Sequence, residues 1–172
     1  MTVSSIIHNR HSVRAYDPAK KISEEDLSKI IEAAHNAPSA HNQQPFHIYR
    51  LKSRESRDKI NQCWSRKFLD DAAEILLVVG EEEQAWVFKD GRNNSVYIDT
   101  AIATAYMEMQ AWELGIGSLW VCAIDREKAC ELFGLEIGRR TPVNLLVLGY
   151  EPEGTTPKNR IRKELSEVYS EI

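Results

Sequence analysis

Three short apolar runs, each bounded by glycine, restrict this chain to folds that bury a β-sheet. Glu74-Ile75-Leu76-Leu77-Val78-Val79-Gly80 is apolar at consecutive positions rather than alternate ones, the pattern of a strand covered on both faces. Ser118 to Ala123 follows the breaker Gly115-Ile116-Gly117, and Val143 to Leu148 stops at Gly149. His47 to Leu51 alternates and adds a fourth strand. Helical patterns separate these runs. Val3 to His8 predicts a short helix. Ser23 followed by Glu24, Glu25 and Asp26 predicts a capped start, and Leu27, Ile30, Ile31 and Ala34 then recur at helical spacing up to Pro38. Glu55 to Trp64, Tyr97 to Leu114, and Asp125 to Phe133 closed by Gly134 complete the set. Strands and helices do not alternate regularly, so the class is α+β.

The chain has 172 residues, enough for one domain with a real core and no need of disulfide or metal staples. The expectation is a single domain over residues 1–172 with a C-terminal extension from about 151, where the sequence turns polar and basic through Pro152, Pro157, Lys158, Arg160, Arg162 and Lys163. A net charge of −4 argues against a dedicated nucleic-acid binder. The three cysteines, Cys63, Cys122 and Cys130, form no C-x-x-C pair, which suits a reducing cytoplasm. Met1 to Arg10 is too short and polar for a signal peptide, and no apolar run approaches the roughly 18 residues of a membrane span. A cytoplasmic protein is expected.

Two basic clusters stand out in this acidic chain: Arg10, Ser12 and Arg14 near the N-terminus, and Arg160 and Arg162 near the C-terminus. Guanidinium groups offer planar, permanently charged donors that match phosphate oxygens, and a serine hydroxyl adds another donor. The plain alternative is two solvated charged loops. The loop Ala37-Pro38-Ser39-Ala40-His41-Asn42-Gln43-Gln44-Pro45-Phe46 packs amides, a hydroxyl and an imidazole between two prolines. It could hydrogen-bond a heterocycle or be an ordinary polar turn. The charged, weakly patterned segment from Glu81 to Ser95, with Trp86 and Phe88 inside it, has the length of a functional lid. The small residues Ala101, Ala103, Ala105 and Ala111 spread round the long helix and imply burial on more than one side. Tyr106 and Trp112 on that helix, and Cys122 on its strand, read as packing residues. His35, His41 and His47 recur at a spacing that matches no common zinc pattern, so no metal is expected.

Arg10-His11-Ser12-Val13-Arg14 resembles the N-terminal signature of FMN-dependent nitroreductases. Pro38-Ser39-x-x-Asn42-x-Gln44-Pro45, Gly115-Ile116-Gly117-Ser118-Leu119-Trp120, and Leu148-Gly149-Tyr150 with the basic tail resemble the family's later motifs, in the same order. The resemblance implies a nitroreductase-like fold, with a mixed or antiparallel central sheet flanked by helices, in an intertwined homodimer. It implies FMN as cofactor, with Arg10, His11, Ser12 and Arg14 at the phosphate and Arg160 or Arg162 closing the seat. Pro38, Ser39 and Asn42 would reach the isoalloxazine of the other subunit, and Leu119 and Trp120 would line the ring through their backbone. Lys67, otherwise a plain surface lysine, matches a lysine near flavin N1 and O2, where positive charge stabilises the reduced flavin. His41 is a possible acceptor contact. Ala40 and Phe46 stand where the family often has serine and tryptophan, and the chain is short for the family, so any extended lid helices are reduced.

No catalytic triad is needed, because a flavin carries the chemistry and the protein supplies position and electrostatics. The implied activity is an NAD(P)H oxidoreductase, with hydride passing from NADH or NADPH through flavin N5 to a nitroaromatic, quinone or related small-molecule acceptor in a ping-pong cycle. The alternatives are a specialised ene-reductase, dehalogenase or dehydrogenase, or a flavin-binding protein without turnover.

Overall fold

A computed structural model describes residues 2–155 and 160–172. Pro157 and Lys158 of the basic tail lie outside the described residues. The elements in chain order are α1 (Val3–Asn9), α2 (Glu24–His35), β1 (Phe46–Arg50), α3 (Arg54–Cys63), α4 (Phe68–Asp71), β2 (Glu74–Glu81), α5 (Val96–Glu113), β3 (Gly117–Val121), α6 (Arg126–Phe133) and β4 (Arg140–Gly149).

The four strands form one sheet in the order β1-β2-β4-β3, with every neighbouring pair antiparallel. Side chains alternate across a strand, and the two cores follow that parity. Ile75, Leu77, Val79, Leu119, Leu145 and Val147 face a core closed by α3, α4 and α6. Leu76, Val78, Leu146 and Leu148 face a second core closed by α2 and α5. This is why the β2 and β4 runs are apolar throughout.

The helix ends obey the capping signals. Ser23, Ser53 and Asp125 each accept a backbone N–H of the first turn. Gly134 closes α6 at φ 65°, a left-handed conformation that glycine adopts without a steric penalty. Strand β4 begins at Arg140, three residues earlier than its apolar run. Pro142 lies within it, where the register with β2 shifts between Val78 and Val79. A bulge tolerates the missing proline N–H, and β3 pairs only with residues 145–149, so β4 has one neighbour at that point.

Two packing expectations change. Cys122 lies one residue past the end of β3 and is exposed, because the strand stops pairing at Val121. Tyr106 is 37% exposed in the single chain.

Candidate functional site

The N-terminal motif runs extended from the end of α1 and lies against the edge strand β3. Ser12 bridges Ser118 in a parallel sense, and the Val13 N–H donates to the Ser118 carbonyl at 2.9 Å. Extended geometry sends alternate side chains to opposite sides. Val13 is buried in the sheet core, while Arg10 turns towards α5. His11 also meets α5, nearer its C-terminal end: its ring lies edge-on to Trp112 at 5.0 Å, and its Nε2 lies 3.0 Å from Glu151 Oε2. Two glycines make this close docking possible. A Cβ on Gly117 would come within 2.7 Å of Val13, and one on Gly149 within 2.7 Å of Tyr16.

Arg10 Nη1 stands 3.6 Å from Glu108 Oε1, and the Ser118 hydroxyl donates to that same oxygen at 3.0 Å. Burial pushes the Glu108 carboxyl above its ordinary range, and the Arg10 charge and the Ser118 hydrogen bond only partly oppose this. Arg10 and Glu108 share a cavity of about 380 Å³ with Arg160 and Arg162. The structure therefore brings Arg10 of the first cluster together with both arginines of the second, across 150 residues of chain. Their roles differ. Arg160 donates to the carbonyls of Ile7, His8 and Arg10, closing the C-terminal end of α1, whereas Arg162, among the described residues, bonds only the neighbouring Ile161 carbonyl.

Arg14 is exposed and folds back on the Ser12 carbonyl at 3.2 Å, outside the cavity wall. Lys67 is exposed just ahead of α4. The adjacent Phe68 packs edge-on against Tyr16 at 6.1 Å. Leu119 is buried, so only its backbone can face a ligand. Trp120 has a buried indole Nε1 with no partner among the described residues, and such donors are ordinarily satisfied.

The Pro38–Pro45 loop is elsewhere. Its residues His41, Asn42 and Gln44 have φ of 50°, 56° and 49°. Left-handed backbone at three non-glycine residues within four positions is strain held in place by its surroundings. Ser39 Oγ accepts the Gln44 N–H at 2.9 Å, and the Gln44 amide donates to Asn42. The loop is anchored to α5 by Asp99, which is 1% exposed: Asp99 Oδ1 accepts the Ala40 N–H at 2.9 Å. The sequence showed the polar composition of this loop but not its strain, and nothing in it pointed to Asp99 or Glu108, whose importance depends on contacts distant in sequence.

The family model for the Nitroreductase family matches residues 7–63 and 60–150. A protein of Archaeoglobus fulgidus that carries the name NADH dehydrogenase/NAD(P)H nitroreductase is 31% identical over 157 residues, covering 84% of this chain and 83% of the relative. The crystal structure of a nitroreductase family protein from Clostridium difficile 630 superposes with a TM-score of 0.88 at 30% identity, covering 99% of this chain and 98% of the other. A structure from Exiguobacterium sibiricum, described as a nitroreductase in complex with FMN, shares the fold with a TM-score of 0.86 at 20% identity over 100% of this chain and 98% of its own. The chain belongs to the nitroreductase family, and its antiparallel sheet with helices on both faces is the nitroreductase fold.

Proposed function

We propose that this protein is an FMN-dependent NAD(P)H oxidoreductase, with two identical sites each built from two chains. The observation that carries this reading is the convergence of Arg10, Arg160 and Arg162 on one cavity in an acidic protein. The Arg10 and Arg162 guanidinium groups and the Ser12 hydroxyl are a donor set suited to a phosphate dianion, with the Arg160 charge beside them. The partnerless Trp120 indole N–H adds a donor that a carbonyl-rich heterocycle could satisfy. The residues present therefore fit FMN, the cofactor of the Exiguobacterium fold-mate.

In this reading Arg10, Ser12 and Arg162 bind the phosphate, and Arg14 approaches from the exposed side. Arg160 positions the seat by holding the end of α1. Lys67 brings positive charge to the N1 and O2 side of the ring, and the Leu119–Trp120 backbone lines it. Bound FMN supplies hydride transfer from NADH or NADPH to a nitroaromatic, quinone or related acceptor, with donor and acceptor using the site in turn. Residues 1–172 act as one unit, with the segment from about 151 as an arm, in the cytoplasm.

The second chain is implied by the surface that one chain leaves uncovered. Val3 and Ile7 of α1 and Tyr97, Ile98 and Tyr106 of α5 are exposed, as are Ile161, Leu165, Val168 and Tyr169 of the arm. Apolar surface spread over two helices and a tail is what a large homodimer interface covers. In a two-fold dimer, Pro38, Ser39 and Asn42 of one chain can then reach the isoalloxazine whose phosphate the other chain holds.

Chromatography of the cofactor released from purified protein tests the assignment. One FMN per chain is expected, together with NADH- or NADPH-driven reduction of a nitroaromatic. Recovery of FAD, or of no flavin after reconstitution, overturns it.

A further inference from the structure

Residues 86–95 form a small hairpin rather than an open loop. Val87 bridges Asn94, the Phe88 N–H donates to the Asn93 carbonyl, and the Ser95 N–H donates to the Trp86 carbonyl. The hairpin carries Trp86 and Phe88, whose rings meet edge-on at 5.0 Å. The ring of His41, from the strained loop, stacks on Trp86 with centroids 5.3 Å apart and planes 22° from parallel. One buried carboxylate joins the two segments. Asp99 Oδ1 takes the Ala40 N–H, and Asp99 Oδ2 takes the Ser95 hydroxyl at 2.6 Å. Both oxygens are committed, one to the residue before His41 and one to the base of the Trp86 hairpin.

We propose that Asp99 is a positioning residue that clamps the Pro38–Pro45 loop to the 86–95 hairpin, so that the His41–Trp86 stack forms a flat wall selecting planar aromatic acceptors. The inference rests on the reading that this loop stands over the flavin. The physical case has three parts. His41 is held at a positive φ that it would leave if free. Trp86 is half-buried and His41 exposed, so the stack presents ring surface outwards. An aromatic face favours a planar π-system over a hydrated ion. An asparagine at position 99 can accept through one oxygen only, and its NH₂ would oppose whichever donor remained.

The test uses flavin-loaded protein with two acceptors, the planar nitroaromatic nitrofurazone and hexacyanoferrate(III), which has no ring to stack. Trp86→Ala should raise KM for nitrofurazone about tenfold, the scale of one lost aromatic stack with its buried area. Its kcat with hexacyanoferrate and its FMN content should stay within about twofold of the parent. Asp99→Asn, or Ser95→Ala if that variant does not fold, should give the same split. It should also speed hydrogen exchange at the Ala40 amide at least tenfold without changing exchange in β2. Equal losses with both acceptors, or unchanged Ala40 exchange, overturn the clamp. Should the parent retain no FMN, the functional reading fails on that result, and Ala40 exchange alone decides whether Asp99 holds the loop.

Discussion

Asp99 and Glu108, the two buried carboxylates of α5, face opposite sides of the helix. Nine residues are about two and a half turns, so the side chains point about 180° apart with about 13.5 Å between them along the axis. Asp99 holds the Pro38–Pro45 loop, and Glu108 stands beside Arg10. The two most informative motifs of the sequence therefore attach to opposite faces of one helix, and a second copy is the simplest way to bring such motifs together.

Arg10→Ala should weaken FMN binding by about 1.5–3 kcal/mol, the scale of a hydrogen bond to a charged group. Arg162→Ala should cost FMN affinity with little change in Tm. Arg160→Ala should also lower Tm, because it frees the Ile7, His8 and Arg10 carbonyls. Flavin titration and thermal unfolding of the apoproteins separate the two roles.

Glu108 sets a pH dependence. Its folded-state affinity for a proton is raised, chiefly by burial. Its contribution to stability is thus full below the ordinary carboxylate range and lost as pH rises through the elevated folded value. Apo Glu108→Gln should melt higher than the parent near neutral pH, and the gap should close as pH falls to the ordinary carboxylate range. A gap that widens on acidification contradicts the assignment.

Gly117→Ala should destabilise the protein by about 1–3 kcal/mol, the usual cost of overpacking, because the new methyl meets Val13. Val13 lies between Ser12 and Arg14, so FMN affinity should fall as well. Denaturant unfolding and flavin titration of the same preparation check both effects.

Arg50 joins three elements through Glu24 of α2 and the nearly buried Glu74 of β2. Arg50→Met should cost about 1.5–3 kcal/mol by leaving Glu74 without its partner. Glu24→Gln should cost far less, since Glu24 is exposed. Urea unfolding of the two variants measures the difference.

The strands and helix ends were legible because local chemistry writes them: glycine after an apolar run, Ser23 and Asp125 before a first turn, Gly134 after a last one. Helix α4 was not, since four residues carry no period. Pro142 hid the start of β4, because a proline reads as a stop unless the bulge opposite it is known. At the site, composition marked Arg10, Ser12, Arg14, Arg160 and Arg162 as candidate phosphate donors, and folding set Arg10, Arg160 and Arg162 on one cavity. It also turned His11 towards Glu151 and Trp112 and left Arg14 outside the cavity. The Glu81–Ser95 segment read as a loop because the bonds that join its two arms are backbone ones, which side-chain patterns do not encode; the Asp90 carboxylate only closes the turn, accepting the Arg92 and Asn93 N–H groups.

Subunit mixing tests the two-chain site most directly. One variant carries Arg10→Ala, and the other carries Ser39→Ala with Asn42→Ala. Each homodimer should bind FMN poorly, because each of its sites lacks one half. Mixing the two by reversible unfolding yields heterodimers in which the intact Arg10 of one chain meets the intact loop of the other. The account predicts that FMN binding returns at one site per heterodimer, with reductase activity recovering to match. Sites complete within a single chain would stay defective in every mixture, and no recovery would contradict the account.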